Sequence, residues 1–150
     1  MWKKIVRIVS LLVVLIICGC SSKYALSPSE FKIQMENNKY KVVDVMDSYQ
    51  YEGLRKAYKA FNKNYDITYF KLETKEQAIN FYESSQVNLN LNKISNKKET
   101  NISTKYYGKY TLTTSDSYLM LSRIDNTVIY TTLDKKYKDS VKKIIKRIVY

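Results

Sequence analysis

Hydrophobic and polar positions are most sharply ordered in the last third of the chain. Tyr106 to Thr114, Tyr118 to Ile124 and Thr127 to Leu133 are rich in β-branched and aromatic residues. Ser115-Asp116-Ser117 and Asp125-Asn126 separate them with turn formers, so three strands joined by hairpins are expected. A two-residue loop at Asp125-Asn126 would pair Ile124 with Thr127, Arg123 with Val128 and Leu121 with Tyr130. Leu119, Leu121, Val128 and Tyr130 then share one face, the expected core. Beyond Asp134, a capping residue, Tyr137, Val141, Ile144, Ile145 and Ile148 recur at helical spacing and form one apolar stripe.

Upstream, two helix starts are written in local chemistry. Ser27-Pro28-Ser29-Glu30 combines a capping serine, a proline at the first helical position and a glutamate able to reach back to the serine amide. Leu26 and Phe31 flank it as a hydrophobic staple, and Asn37-Asn38 closes the helix. Thr74-Lys75-Glu76-Gln77 is a second capping box, opening a helix of about 12 residues through Ala78, Phe81, Tyr82 and Ser85. Between these helices, Tyr40 to Met46, Leu54 to Phe61 and Tyr65 to Leu72 read as strands, with Asn62-Lys63-Asn64 as a turn. Either Ala57 and Phe61 or Tyr58 and Ala60 form the inner face of the middle strand. Val87, Leu89 and Leu91 alternate like a strand but also suit a longer helix, and residues 92–104 read as an exposed loop. The order α-β-β(-β)-α-β-β-β-α predicts an α+β fold, an antiparallel sheet of about five to six strands with helices packed on it.

The N-terminal segment is of another kind. Lys3, Lys4 and Arg7 precede an apolar run that ends in Ile17-Cys18-Gly19-Cys20. From Ile8 to Cys20 there are 13 residues, whereas a membrane-spanning helix needs about 20. The segment resembles the signal peptide and lipobox of bacterial lipoproteins. The resemblance implies cleavage between Gly19 and Cys20 and transfer of a diacylglyceryl group to the Cys20 sulfur, with further fatty acid such as palmitate carried there. Residues 1–19 are then a signal peptide, 20–26 a lipidated tether, and 27–150 one extracytoplasmic domain. The implied location is the outer face of the cytoplasmic membrane, where two acyl chains give stable anchoring. The remainder is similar in style to small lipoproteins of AT-rich Gram-positive bacteria, which transfers no functional residue.

Composition narrows the chemistry. There is no histidine, the commonest general base and metal ligand, and three glycines cannot build a glycine-rich phosphate loop. On the lipoprotein resemblance, cleavage would remove Cys18 and acylation would consume Cys20, leaving no thiol for a disulfide or a metal. No cofactor and no metal site are expected. The formal net charge is +12, of which Lys3, Lys4 and Arg7 belong to the leader. Such a balance favours anionic partners, although lysine also serves solubility alone.

Three clusters stand out, each with an ordinary structural explanation beside the functional one. Lys135, Lys138, Lys142, Lys143, Lys146 and Arg147 line the last helix and suit an anionic surface or a merely solvated helix face. Lys105-Tyr106-Tyr107-Gly108-Lys109-Tyr110 interleaves cations and rings, so Tyr107 and Lys109 are ligand-contact candidates or half-buried strand residues. Tyr107 and Lys109 should face away from Tyr106 and Tyr110. Arg123 beside the Asp125-Asn126 turn is a third, an anion clamp or a local ion pair. The leading expectation is a non-enzymatic, membrane-anchored binding or envelope-assembly module that meets a cell-wall polyanion or another envelope protein, with no nucleic acid expected. One alternative is a binder of anionic lipid or teichoic acid using the last helix and the Lys93 to Lys109 segment. The other is a carboxylate-based hydrolase drawing on Asp44, Asp47 and Glu52.

Overall fold

The structure, a computed structural model, describes residues 24–90, 97–148 and 150. Residues 1–23, which include Gly19, Cys20, the expected signal peptide and the first part of the expected tether, lie outside the described residues, as does Lys93. Helix α1 spans Pro28–Asn37 and begins with the reciprocal capping expected of its sequence. Ser27 Oγ accepts from Glu30 N at 3.2 Å, while the Glu30 carboxylate accepts from Ser27 N at 2.7 Å. The chain reverses through Lys39, at φ 68, whose left-handed backbone ends the helix.

Strands β1 (Lys41–Asp44), β2 (Leu54–Phe61) and β3 (Asp66–Leu72) follow, and then helix α2 (Lys75–Asn90). The Thr74 and Gln77 side chains each accept from the other residue's amide, at 3.1 and 3.0 Å, which makes the second capping box real. Strands β4 (Lys98–Ser103), β5 (Tyr107–Thr113), β6 (Ser117–Ile124) and β7 (Thr127–Asp134) complete the sheet. A single 3-10 turn, Lys135–Tyr137, leads into helix α3 (Lys138–Arg147). All seven strands form one antiparallel sheet in the order β1-β2-β3-β7-β6-β5-β4.

The fold is therefore α+β, with three departures from the sequence reading. The sheet has seven strands rather than five or six. The extra one, β4, lies in the stretch read as a loop and pairs with β5 from Lys98↔Thr113 to Ser103↔Gly108. Every β4 side chain is exposed, so no apolar alternation announced it. Helix α2 is 16 residues long rather than 12, absorbing the Val87 alternation.

The third departure is that both faces of the sheet are buried. On one, α1 and α3 enclose Phe31, Met35, Tyr69, Met120, Ile129, Val141 and Ile145; on the other, α2 covers Ala57, Phe70, Tyr82, Leu121 and Val128. The β6–β7 register is the expected one, with Leu121 opposite Tyr130 and Ile124 opposite Thr127. Leu119, Leu121 and Val128 do share a buried face, but Tyr118, Met120, Ile124 and Ile129 fill the other. In β2 the pairing slips between Leu54 and Lys56, leaving Arg55 as a bulge. That extra residue returns Leu54 and Ala57 to the α2 face, while Tyr58 and Ala60 point at α1. Of the two alternatives for β2, Tyr58 and Ala60 do share a core face, whereas Ala57 is buried on the other side and Phe61 is only half-buried.

A lysine-lined groove between β4, β5 and α3

Docking of Val141 and Ile145 against the sheet fixes the rotation of α3 and sets Lys138 and Lys142, one turn apart, along one flank. Their ammonium groups lie 5.2 and 5.9 Å from the Tyr118 ring centroid, within range of cation–π attraction. Lys138 Nζ also donates to Thr113 Oγ1 at 3.2 Å. Cross-strand pairing supplies the rest of the wall. Lys98 faces Thr113, which faces Tyr118; Thr100 faces Thr111; Ile102 faces Lys109. These side chains border a groove of about 340 Å³.

Strand alternation sorts the charges. Lys98 and Lys109 are on the groove face, whereas Glu99 is on the opposite one, where it acts on Tyr110 and pairs with Lys97 at 3.2 Å. Asp139, next to Lys138 in sequence, lines a separate depression with Asp116, Asp134, Lys135 and Lys136. Among the described residues, no ion pair involves Lys98, Lys109, Lys138 or Lys142. Four cations thus share one concavity without a carboxylate. The Tyr118 hydroxyl, like that of Tyr82, is buried and has no hydrogen-bond partner among the described residues. Burial, with a smaller contribution from Asp139, pushes its pKa up to about 12.

The structure divides the sequence candidates. Lys109, Lys138 and Lys142 meet in the groove. Lys135 lies in the acidic depression, Lys143 and Lys146 are exposed on α3, and Arg147 donates to Asn38 Oδ1 at 3.4 Å, tying α3 to the end of α1. Tyr107 packs half-buried against the core on the α1–α3 side, while Tyr110 is buried on the α2 side and Tyr106 is exposed before β5. The expected opposition of Tyr107 and Lys109 to Tyr110 is therefore present.

Arg123 requires a correction. It is no exposed clamp at a hairpin tip, being only 1% exposed. Its terminal nitrogens donate to Thr104 O at 2.6 Å and Lys105 O at 3.4 Å, bracing the turn between β4 and β5. Its guanidinium carbon is 5.9 Å from the Tyr82 ring centroid, and Tyr82 sits so close to Gly108 that a Cβ there would come within 3.0 Å of the ring. Burial lowers the Arg123 pKa from its ordinary value. Lys98, Thr100, Thr111, Thr113 and Tyr118 are groove residues that were not singled out. The Lys98-x-Thr100-x-Ile102 alternation was the available signal, masked by the absence of apolar residues at its alternate positions.

Elsewhere, Asp44 Oδ1 accepts from Met46 N at 2.9 Å and Oδ2 pairs with Lys56 at 2.5 Å. The Lys56 bond, more than the backbone one, holds that carboxyl below its usual range. On the α2 side, Tyr49, Phe70, Phe81, Leu121 and Tyr130 line a mainly aromatic cleft of about 270 Å³, with Ser85 and Asn88 at its border. Compared with protein-family models, curated proteins and solved structures, the chain matches none.

Proposed function

We propose that this chain is a lipid-anchored, extracytoplasmic and non-enzymatic binding module that holds anionic material close to the membrane. The observation that carries the reading is the convergence of Lys98, Lys109, Lys138 and Lys142 on one groove without a neutralising carboxylate among the described residues. It joins the last helix to Lys98 and Lys109, from the two segments that the alternative polyanion reading of the sequence named. Unpaired cations on low-dielectric walls concentrate the positive field and attract anions from a distance.

An anchor at Cys20 would hold the domain close to the membrane. Leu26 is buried on the sheet face that carries α1 and α3, with its carbonyl accepting from the Tyr69 hydroxyl at 2.6 Å. A lipid on Cys20 would be separated from that point by six residues, a reach on the order of 20 Å. The basic layer then works at or near the bilayer surface.

Two measurements test the reading. Labelled fatty acid should enter the protein in cells and be lost in Cys20→Ala; undiminished label in that variant removes the anchor. Retention of the chain on an immobilised polyanion should fall steeply with salt, as the screening length shrinks from about 10 Å at 0.1 M to about 3 Å at 1 M. Retention indifferent to salt removes the anionic ligand.

A further inference from the structure

We infer that the outer edge of β4 takes up an extended, acidic segment of another polypeptide as a further antiparallel strand. This deepens the anion-binding reading above and rests on it, but not on the lipid anchor.

The backbone offers a place for a strand. β4 ends the sheet, and β5 is its one strand neighbour among the described residues. Thr104 N donates to Tyr107 O at 2.7 Å, closing the β4–β5 hairpin with a hydrogen-bonded pair. Such pairs alternate along an antiparallel ladder, so Ile102, Thr100 and Lys98 bond to β5. Asp125 N donates to Tyr106 O at 2.9 Å, which starts the complementary alternation between β5 and β6. The N–H and C=O groups of Glu99, Asn101 and Ser103 are therefore turned outward, a template for one more ladder. All six β4 side chains are exposed. The opposite edge, β1, is only four residues long and lies against α1.

The side chains select an acidic partner. Elsewhere in this sheet a strand lysine is answered by a carboxylate on the neighbouring strand. Lys56 meets Asp44 of β1 at 2.5 Å, and Lys59 meets Asp66 of β3 at 3.7 Å. Asp44 is opposite Tyr58 and Asp66 is opposite Phe61, in each case two residues beyond the lysine it pairs. Lys98 has no such answer, because β5 carries neither Asp nor Glu and no described strand lies beyond β4. A carboxylate opposite Thr100 on an added strand would complete the pattern. Lys98, Thr100 and Ile102 would meet that strand in non-hydrogen-bonded pairs, where facing side chains are closest. Lys109, Lys138 and Lys142 extend the positive field across the same concavity, and the half-exposed Ile102 suits an apolar residue opposite it. A second copy of this chain fits poorly, since it would bring four more lysines to that face.

The test uses the full chain purified in nonionic detergent and an end-blocked peptide, Ser-Val-Thr-Glu-Thr-Glu, whose valine would face Ile102 and whose first glutamate would face Thr100. Glutamine at both acidic positions should weaken binding about tenfold at low salt, a difference that 1 M salt removes. N-methylation of the third residue, whose amide would bond to Asn101, should weaken binding about tenfold. N-methylation of the fourth, whose amide would point away from β4, should cost less than about threefold. Lys98→Gln should weaken binding about threefold. Asn101→Pro removes an outward donor and spares the β5 ladder, so it should weaken binding about tenfold with little change in melting temperature. Equal losses from the two N-methylated peptides overturn strand addition. Equal affinity for the glutamine peptide overturns the acidic selection. Binding of inorganic polyphosphate but not of the peptide overturns this proposal and leaves the anion-binding reading standing, whereas binding of neither removes both. Dimerisation of the chain that Asn101→Pro abolishes would give the edge to a second copy and overturn the acidic partner.

Discussion

Alkali should unfold this protein abruptly, because six of its tyrosines are buried with their protons held in place. Tyr82, Tyr110 and Tyr118 have pKa values pushed up to about 12, chiefly by burial. Tyr40, Tyr69 and Tyr150 are displaced further in the same direction, Tyr40 by burial and then by its hydrogen bond to Tyr65. Below the ordinary tyrosine pKa of about 10, folded and unfolded chains are both protonated and stability is at its full value. Above it the unfolded chain releases protons that the folded one retains, so stability falls by up to about 1.4 kcal/mol per pH unit for each ring. Six rings together reach on the order of 8 kcal/mol per unit, comparable with the whole stability of a domain. Cooperative unfolding is therefore expected within about one unit above pH 10. A titration followed by tyrosinate absorbance and far-ultraviolet circular dichroism measures it. Absorbance should rise in two stages, the second coinciding with loss of ellipticity. Ionisation of all the tyrosines in one stage, with ellipticity intact, would refute the burial of these rings.

Tyr150 supports the β6–β7 hairpin from below. Its hydroxyl donates to Thr127 O at 2.8 Å and accepts from Ile124 N at 3.2 Å. Tyr150→Phe leaves that buried amide without its acceptor and should cost about 2 kcal/mol, a shift of about 1 M in the urea midpoint. An unmoved midpoint would show that the hydroxyl contributes nothing. Ile145→Asp places a charge where a 4% exposed side chain now joins α3 to the sheet, and should cost about 5 kcal/mol or more. A native circular dichroism spectrum and melting curve for that variant would mean α3 is not docked.

Features set by neighbouring residues were the legible ones. Both capping boxes use atoms three residues apart, and the β6–β7 register follows from a two-residue loop with Asp125 at φ 49. What escaped was decided across the sheet. Strand β6 is buried from Tyr118 to Ile124, so choosing Leu119 and Leu121 as the inner face described only one of two cores. Central strands covered on both sides read as continuous runs and lose the period that marks an inner face. Arg123 looked like a surface cation because its counterparts are the backbone carbonyls of Thr104 and Lys105, which side-chain chemistry does not advertise. Strand β4 is recognisable only once β5 stands beside it.

The groove follows from a mismatch between the sheet and the helices on that side. Seven strands at the usual spacing make a sheet about 29 Å across, whereas two packed helices cover about 20 Å. Helix α1 lies over β1, β2 and β3, and α3 docks onto the core beside Met120 and Ile129 of β6 and β7, leaving β4 exposed throughout. Lysine, threonine and one isoleucine line the groove there, while Tyr107, on the same face of β5, packs half-buried against the core. The same β5 residues alternate with Gly108, Tyr110 and Leu112, which are buried on the α2 side. One strand therefore secures the core with one set of side chains and presents cations with the other. Strand lysines that faced a covering helix would need carboxylate partners on it, so the lack of ion pairs at Lys98 and Lys109 among the described residues follows from their place on the last two strands of the sheet.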